Sequence, residues 1–318
     1  MINAYDHSTN ERLSDTIVNN NLLESEKQIA EAFIKNNYET IKLEVCPICG
    51  DDKINHFAYI SNIEYRYCIN CRSIFTDISE CLASSYQKSD KLQTFRRSKD
   101  FQETTSKIRE YIWEELLFWF EYRFAHYFGT GKTLRVLDYE NIFSGLSDKI
   151  KSSKFCLEYS RLSKVLGNIN IRDGKFDAII YMDRMRCEPN PKKLFNEFYN
   201  MLDKNGLLIL STRVGSGFDI LTLKGLIKNV YPYEYAVLPS LEGLKFLLEY
   251  NGFEISEIST PGSLDTVYVR ESIQDIKDIG MFLDYLITHC EENVLVDFQY
   301  FLQKHNLSSN ARIIAKKK

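Results

Sequence analysis

Apolar residues change their spacing several times along the chain, and each spacing predicts a different element. Up to about residue 42, Leu22, Leu23, Ile29, Ala30, Phe33 and Ile34 recur at helical intervals in a polar stretch. From His56 to Tyr67, apolar and polar residues alternate as in a hairpin. Lys99 to Phe128 returns to the helical period and is rich in aromatics, including Trp113, Phe118, Trp119, Phe120, Tyr122 and Phe124, until Gly129-Thr-Gly131 stops it. Short apolar runs then alternate with amphipathic stretches. Leu134–Asp138, Lys154–Glu158, Phe176–Met182, Gly206–Thr212 and Phe253–Thr260 predict strands, while Pro191–Leu202 and Leu241–Tyr250 predict helices. Ile273 to His305 is helical again. Such alternation predicts an α/β, Rossmann-like fold, a mainly parallel sheet with helices on both faces.

The pattern divides the chain into an N-terminal helical segment (1–42), a small unit (43–76), a connector with the aromatic helix (77–131), the Rossmann-like domain (132–270) and a C-terminal helical extension (271–318). Composition adds exclusions. Of 318 residues, 44% are hydrophobic and 26% charged, which is ordinary for a globular protein. The 40 basic and 44 acidic side chains give a net charge of -4, which argues against a nucleic-acid partner. The greasiest stretch, Tyr111–Phe128, is broken by Glu114, Glu115, Glu121 and Arg123 and cannot be a membrane span. Met1–Asn10 is polar and lacks the apolar core of a signal peptide, so the expected location is cytoplasmic.

The clearest chemistry lies in the small unit. Cys46-Pro-Ile-Cys49 and Cys68-Ile-Asn-Cys71 form two Cys-x-x-Cys knuckles around the predicted hairpin, which is the outline of a zinc ribbon. Four thiolates leave zinc no open position, so the predicted role is structural. Arg72 follows the second knuckle where a glycine would ease the turn. His56, inside the hairpin, is a weaker competitor for the metal.

Further stretches carry a family resemblance. Val136-Leu137-Asp138 fits the end of a first strand, and Phe176-Asp177-Ala-Ile-Ile followed by Pro189-Asn-Pro191 fits a fourth strand and its exit. Met201-Leu202-Asp-Lys-Asn-Gly206, Leu247-Leu-Glu-Tyr-Asn-Gly252-Phe253 and Ser259-Thr-Pro-Gly262 fit the connections that follow. With the knuckles, these resemble the class I S-adenosylmethionine (SAM)-dependent methyltransferases. The narrower likeness is to the bacterial group with an N-terminal zinc-binding ribbon, which includes sugar methyltransferases of surface-polysaccharide pathways.

The resemblance implies SAM as cofactor and a small-molecule or nucleotide-sugar acceptor. It implies a cofactor site at Asp138 after the first strand and Glu158 ending the second; Asp183, after the fourth, faces the mouth of the sheet, where open α/β sheets bind ligands, and joins them as a candidate. Glu234 and Tyr235 are the matching candidates for acceptor contact or catalysis.

The chain departs from the family in several places. The loop after the first strand, Asp138-Tyr139-Glu140-Asn141-Ile142-Phe143-Ser144-Gly145, carries Glu140, Ile142 and Ser144 where glycines would let the backbone approach the cofactor. The span Tyr139–Lys175 is short for two strands and their helices. Arg186-Cys187 replaces an acid–histidine pair, and Tyr235 stands where related sugar enzymes have histidine; a tyrosine of pKa near ~10 is a poor base at neutral pH. Three readings follow: an active methyltransferase, an inactive pseudo-methyltransferase serving as a partner or scaffold of another protein, and the same fold turned to another ligand.

Overall fold

The computed structural model describes residues 20–37, 43–77, 85–86, 88–139, 157–162, 175–188, 190–230, 232 and 234–318. A six-stranded sheet forms its centre. The strands are β4 (Leu134–Tyr139), β5 (Leu157–Leu162), β6 (Phe176–Met182), β7 (Leu202–Arg213), β9 (Phe253–Ser259) and β10 (Asn310–Lys317), in the order β5-β4-β6-β7-β10-β9. β5, β4, β6 and β7 are parallel, while β10 runs antiparallel to both its neighbours.

The central strands are apolar runs because both faces are covered. Along β7, Leu207 and Ile209 enter one core while Leu208 and Leu210 enter the other. The helix α3 (Lys99–Phe128) covers the first face with Leu116, Phe120 and Phe124, spaced four apart. Ser98 Oγ caps its start by accepting from the Phe101 amide, and Gly129 ends it at φ 76°. The second face is covered by α4 (Pro191–Met201) and α6 (Leu241–Tyr250) through Phe195, Phe198, Leu244, Leu247 and Leu248. Gly252 follows α6 at φ 85°, where a Cβ would lie 2.9 Å from the Tyr199 ring.

A second, four-stranded sheet has the order β1-β2-β3-β8, formed by β1 (Ile54–Ile60), β2 (Ile63–Cys68), β3 (Ile74–Thr76) and β8 (Val237–Leu238). Ser61 and Asn62 join β1 to β2 with φ of 49° and 63°, the left-handed pair that a tight hairpin needs. Its apolar face packs with α5 (Phe218–Leu223), α7 (Asp265–Glu271), α8 (Met281–His289) and α9 (Glu292–Lys304), where Ile60, Ile63, Tyr65 and Ile74 meet Ile220, Val269, Ile287 and Leu295. Two further helices are α1 (Asn20–Asn37) and α2 (Asp90–Arg96). No helix among the described residues is long and apolar enough to cross a membrane.

Two expectations are corrected. The second parallel strand runs past Glu158 to Leu162, pairing Leu134 with Leu157 through Tyr139 with Leu162 along the whole of β4, while Lys154–Cys156 lie outside the described residues. A strand ending at Glu158 would leave most of β4 without that partner. The C-terminal segment is not helical throughout: after α9 the chain enters the sheet as β10, with Ala311, Ile313, Ile314 and Ala315 all buried.

Candidate metal centre and ligand crevice

The four predicted cysteines converge. Their sulfur atoms all lie within 4.8 Å of one another, with Cys46–Cys71 and Cys49–Cys68 each at 3.6 Å. A tetrahedral zinc with Zn–S bonds of about 2.3 Å sets sulfurs about 3.8 Å apart, so the spacing of the four sulfurs is compatible with zinc. Each knuckle is closed by the same backbone hydrogen bond: Gly50 N donates to Cys46 O and Arg72 N to Cys68 O, both at 2.9 Å. Gly50 sits at φ 85° and Arg72 at φ 60°. The turn therefore needs the left-handed conformation in both knuckles, and Arg72 adopts it without glycine. Asn70 Nδ2 reaches Cys49 Sγ at 3.8 Å, and Ser73 Oγ lies 3.3 Å from Cys71 Sγ. His56 Nδ1 pairs with Glu64 Oε1 at 2.9 Å on the exposed side of the hairpin and is no part of the cage.

The cage is built into the larger sheet's cover. Cys46, Cys68 and Cys71 belong to the same core as α4 and α6. Ser240 does three jobs: its hydroxyl accepts from Gly243 N at 2.8 Å and donates to Cys71 O, while its amide donates to Ser73 Oγ at 3.1 Å. Gly243 is the close approach here, because a Cβ would lie 2.4 Å from Ser73 Oγ. From the ribbon's other end, β3 pairs with β8, Thr76 N donates to Ala236 O at 3.0 Å, and Tyr65 Oη donates to Tyr235 O at 2.7 Å.

The larger sheet supplies a second candidate site. Its order reverses at β4, which has β5 on one side and β6 on the other. Open α/β sheets bind ligands outside the carboxyl ends of the strands at such a switch point. Asp138 stands there near the end of β4 and is buried; Asp183 follows β6 and is half-buried. Tyr139 points into the core, edge-on to Tyr181 at 5.7 Å and Phe198 at 4.8 Å. Glu158 is elsewhere. It is the second residue of β5, opposite Arg135, so it stands at the amino edge, and the strand's described carboxyl end is Ser160-Arg161-Leu162. Glu140, Ile142 and Ser144 lie outside the described residues.

The structure brings Asp183, Glu234 and Tyr235 together around Arg186. Its Nη1 donates to Tyr235 Oη at 2.8 Å and lies 3.1 Å from Asp183 Oδ2, while Nη2 is 3.5 Å from Glu234 Oε2. Glu234 is shared with Arg96 at 2.7 Å, and Arg96 also reaches Glu26 of α1 at 3.4 Å. Burial pushes the Tyr235 phenol above its ordinary range against the pull of Arg186, which makes it a poorer base still. Burial and then Glu234 raise Glu26.

Beside this network lies a cavity of about 260 Å³ between the ends of β6 and β7, the start of β10, α3 and the loop that leads into α7. Asp183 and Arg213 both line it. Arg213 pairs with the fully buried Asp219, and its guanidinium lies 6.0 Å from the Tyr235 ring and 5.9 Å from that of Tyr268. Burial pushes Asp219 up to about 6 against the pull of Arg213; burial would lower Arg213, but Asp219 first among its neighbours holds it above its ordinary value. Sequence reading missed Arg186, Arg213 and Asp219 as site residues. The available signal was a charged residue ending each of two strongly apolar strands or their exits.

Comparison with known proteins adds a partial likeness. No family model matches the chain, and no curated protein matches it. Among solved structures, it is similar to the plantazolicin methyltransferase BpumL, in complex with S-adenosylhomocysteine, at 14% identity over 75% of this chain and 95% of that one, TM-score 0.43. It is similar to the [4+2]-cyclase SpnF at 14% identity over 70% of this chain and 83% of that one, TM-score 0.38. A third similarity is to phosphoethanolamine N-methyltransferase 2 of Haemonchus contortus, in complex with S-adenosyl-L-methionine, at 19% identity over 61% of this chain and 50% of that one, TM-score 0.38.

Proposed function

We propose that the chain is a SAM-dependent methyltransferase-like protein with a structural zinc ribbon, acting on a small hydroxylated acceptor such as a sugar, a nucleotide-sugar or a polysaccharide precursor. The observation that carries this reading is the switch point at β4 and β6, with Asp138 and Asp183 at the two strand ends and a cavity beside Asp183. The acceptor class follows from the sequence resemblance. A bound SAM supplies an electrophilic methyl group. The chain's own part is to hold the acceptor in line with it, and orientation of this kind supplies much of the rate. Glu234 and Tyr235 act from behind, fixing Arg186 and through it Asp183.

The residues fit the cofactor in part. Asp138 stands at the crevice, whereas Glu158 stands at the far edge. That displacement favours a second reading, supported also by Glu140, Ile142 and Ser144 in the loop sequence: the same fold without turnover, serving as a scaffold or partner. Calorimetry with SAM separates the two. Saturable micromolar binding, weakened by Asp138→Ala, supports the enzyme. Absence of binding at millimolar SAM leaves the scaffold.

A further inference from the structure

The cavity's charges are already spent on one another, and this bears on what it can hold. Its lining includes two arginines and three carboxylates, Arg213, Arg312, Glu115, Asp183 and Asp265. Arg312 pairs with Glu115 at 2.7 Å and lies 5.4 Å over the Trp119 ring. Arg213 pairs with Asp219. Asp265 accepts from Gln299 Nε2 and Ser309 N, each at 2.8 Å, and from Ser308 Oγ at 2.5 Å. Neither arginine offers an uncompensated positive charge to an anion. Among the described lining residues a phosphate meets an excess of carboxylate, and like charges at short range in a partly dry site are costly.

Asp183 is different. Its ion pair with Arg186 is made through Oδ2, and its side chain stays about a third exposed at the cavity wall, at 34%. Its backbone is held at φ 51°, a left-handed conformation uncommon outside glycine, with its amide donating to Ser211 O at 2.7 Å. Strained residues of this kind concentrate at ligand sites. The volume points the same way: about 260 Å³ lies below the ~300–1,000 Å³ usual for drug-sized ligands, so it suits one small ring and not a nucleotide diphosphate with its sugar.

We infer that this cavity binds an uncharged, unphosphorylated polyhydroxylated molecule of single-ring size, with the Asp183 carboxylate accepting hydrogen bonds from its hydroxyls. This narrows the acceptor class proposed above and rests on that reading only for the chemistry that follows binding. The test is therefore run without SAM, so a failure to bind SAM leaves it untouched.

Saturation-transfer NMR and calorimetry on the full chain use D-galactose, L-rhamnose and myo-inositol as neutral probes, with galactose 1-phosphate and UDP-galactose as charged ones. At least one neutral probe is expected to bind in the millimolar range, with little dependence on salt, and more tightly than the phosphate esters. Asp183→Asn keeps a residue that tolerates positive φ and is expected to weaken that binding about tenfold, since a hydrogen bond to a charged acceptor is the stronger kind. Asp183→Gly, which relieves the backbone, serves as the second variant if the first is misfolded, with the same expected loss. Three results overturn the inference: tighter, salt-sensitive binding of the esters; neutral binding unchanged in a folded Asp183 variant; or no binding of any neutral probe at tens of millimolar.

Discussion

The ribbon and the crevice are both small polar regions set against large apolar cores, yet they are held in opposite ways. The ribbon's two turns bring the sulfurs of Cys46, Cys49, Cys68 and Cys71 together, and with the proposed zinc bound its order would depend on one ion. The crevice is braced by side-chain pairs, Arg213–Asp219 and Arg186 with Asp183 and Glu234, mounted on the exits of β6 and β7. With zinc bound, the first would be a joint completed from outside the chain; the second is preformed by the sheet. They meet at residues 234–238, where the crevice's Glu234 and Tyr235 run directly into β8, the strand that completes the ribbon sheet.

Removing the metal is the most severe way to separate them. Cys71→Ser, or a strong chelator, is expected to cost on the order of 5 kcal/mol or more, because the sulfurs then hold nothing together. Hydrogen exchange should rise in β1, β2 and β3 and in residues 236–238, while β6, β7 and β10 stay protected. Elemental analysis of protein purified without chelator should find zinc. Loss of metal without any change at residues 236–238 would break the proposed joint.

Breaking the crevice from its own side comes next. Asp219→Ala leaves Arg213 buried without its partner, which typically costs about 3–5 kcal/mol. Urea unfolding should show that loss while zinc content stays at its wild-type level. A variant that also sheds zinc would mean the two regions are one cooperative unit.

A smaller effect tests the seam between ribbon and helix. In Gly243→Ala the new Cβ meets Ser73 Oγ at 2.4 Å and Ile48 Cγ2 at 3.1 Å, an overpacking worth about 1–3 kcal/mol. Zinc should pass to a chelator faster than from the wild type, since Ser73 also touches Cys71. An unchanged transfer rate would show that α6 supports the ribbon without steadying its metal.

How far the sequence disclosed these regions follows from whether a feature is local. The knuckles, β6 and α6 were legible because their spacing, their continuous apolar run and their bounding Asn251-Gly252 are all contained in one stretch. β10 was not, since Ala311–Ala315 is a short apolar run beside Lys316-Lys317-Lys318, and only β7 and β9 on either side make it a central strand. The displacement of Glu158 has the same origin: β4 sets the register of β5, and nothing within Lys154–Leu162 does. Asp183 was legible from its place at the mouth of the sheet, and Glu234 and Tyr235 from the family resemblance, each on its own. Their common partner Arg186 was noted only as a departure, because an arginine between distant carboxylates leaves no periodic trace.

The mildest test addresses the joint itself. Tyr65 lies on β2 and is fully buried, and its hydroxyl donates to the carbonyl of Tyr235, the residue whose own hydroxyl accepts from Arg186. One hydrogen bond thus connects the ribbon sheet to the backbone of the crevice network. Tyr65→Phe removes the donor, keeps the ring and leaves a buried carbonyl short of a partner, an expected loss of about 1 kcal/mol. The zinc cage should be untouched, because Tyr65 contacts none of the sulfurs through that hydroxyl. What should change is local: faster amide exchange at residues 235–238 and weaker binding of any crevice ligand, with the melting temperature only slightly lowered. A stability loss of that size with unchanged exchange at 235–238 would place the bond in the ribbon's own core, and the crevice would then be braced by its own ion pairs without help from Tyr65.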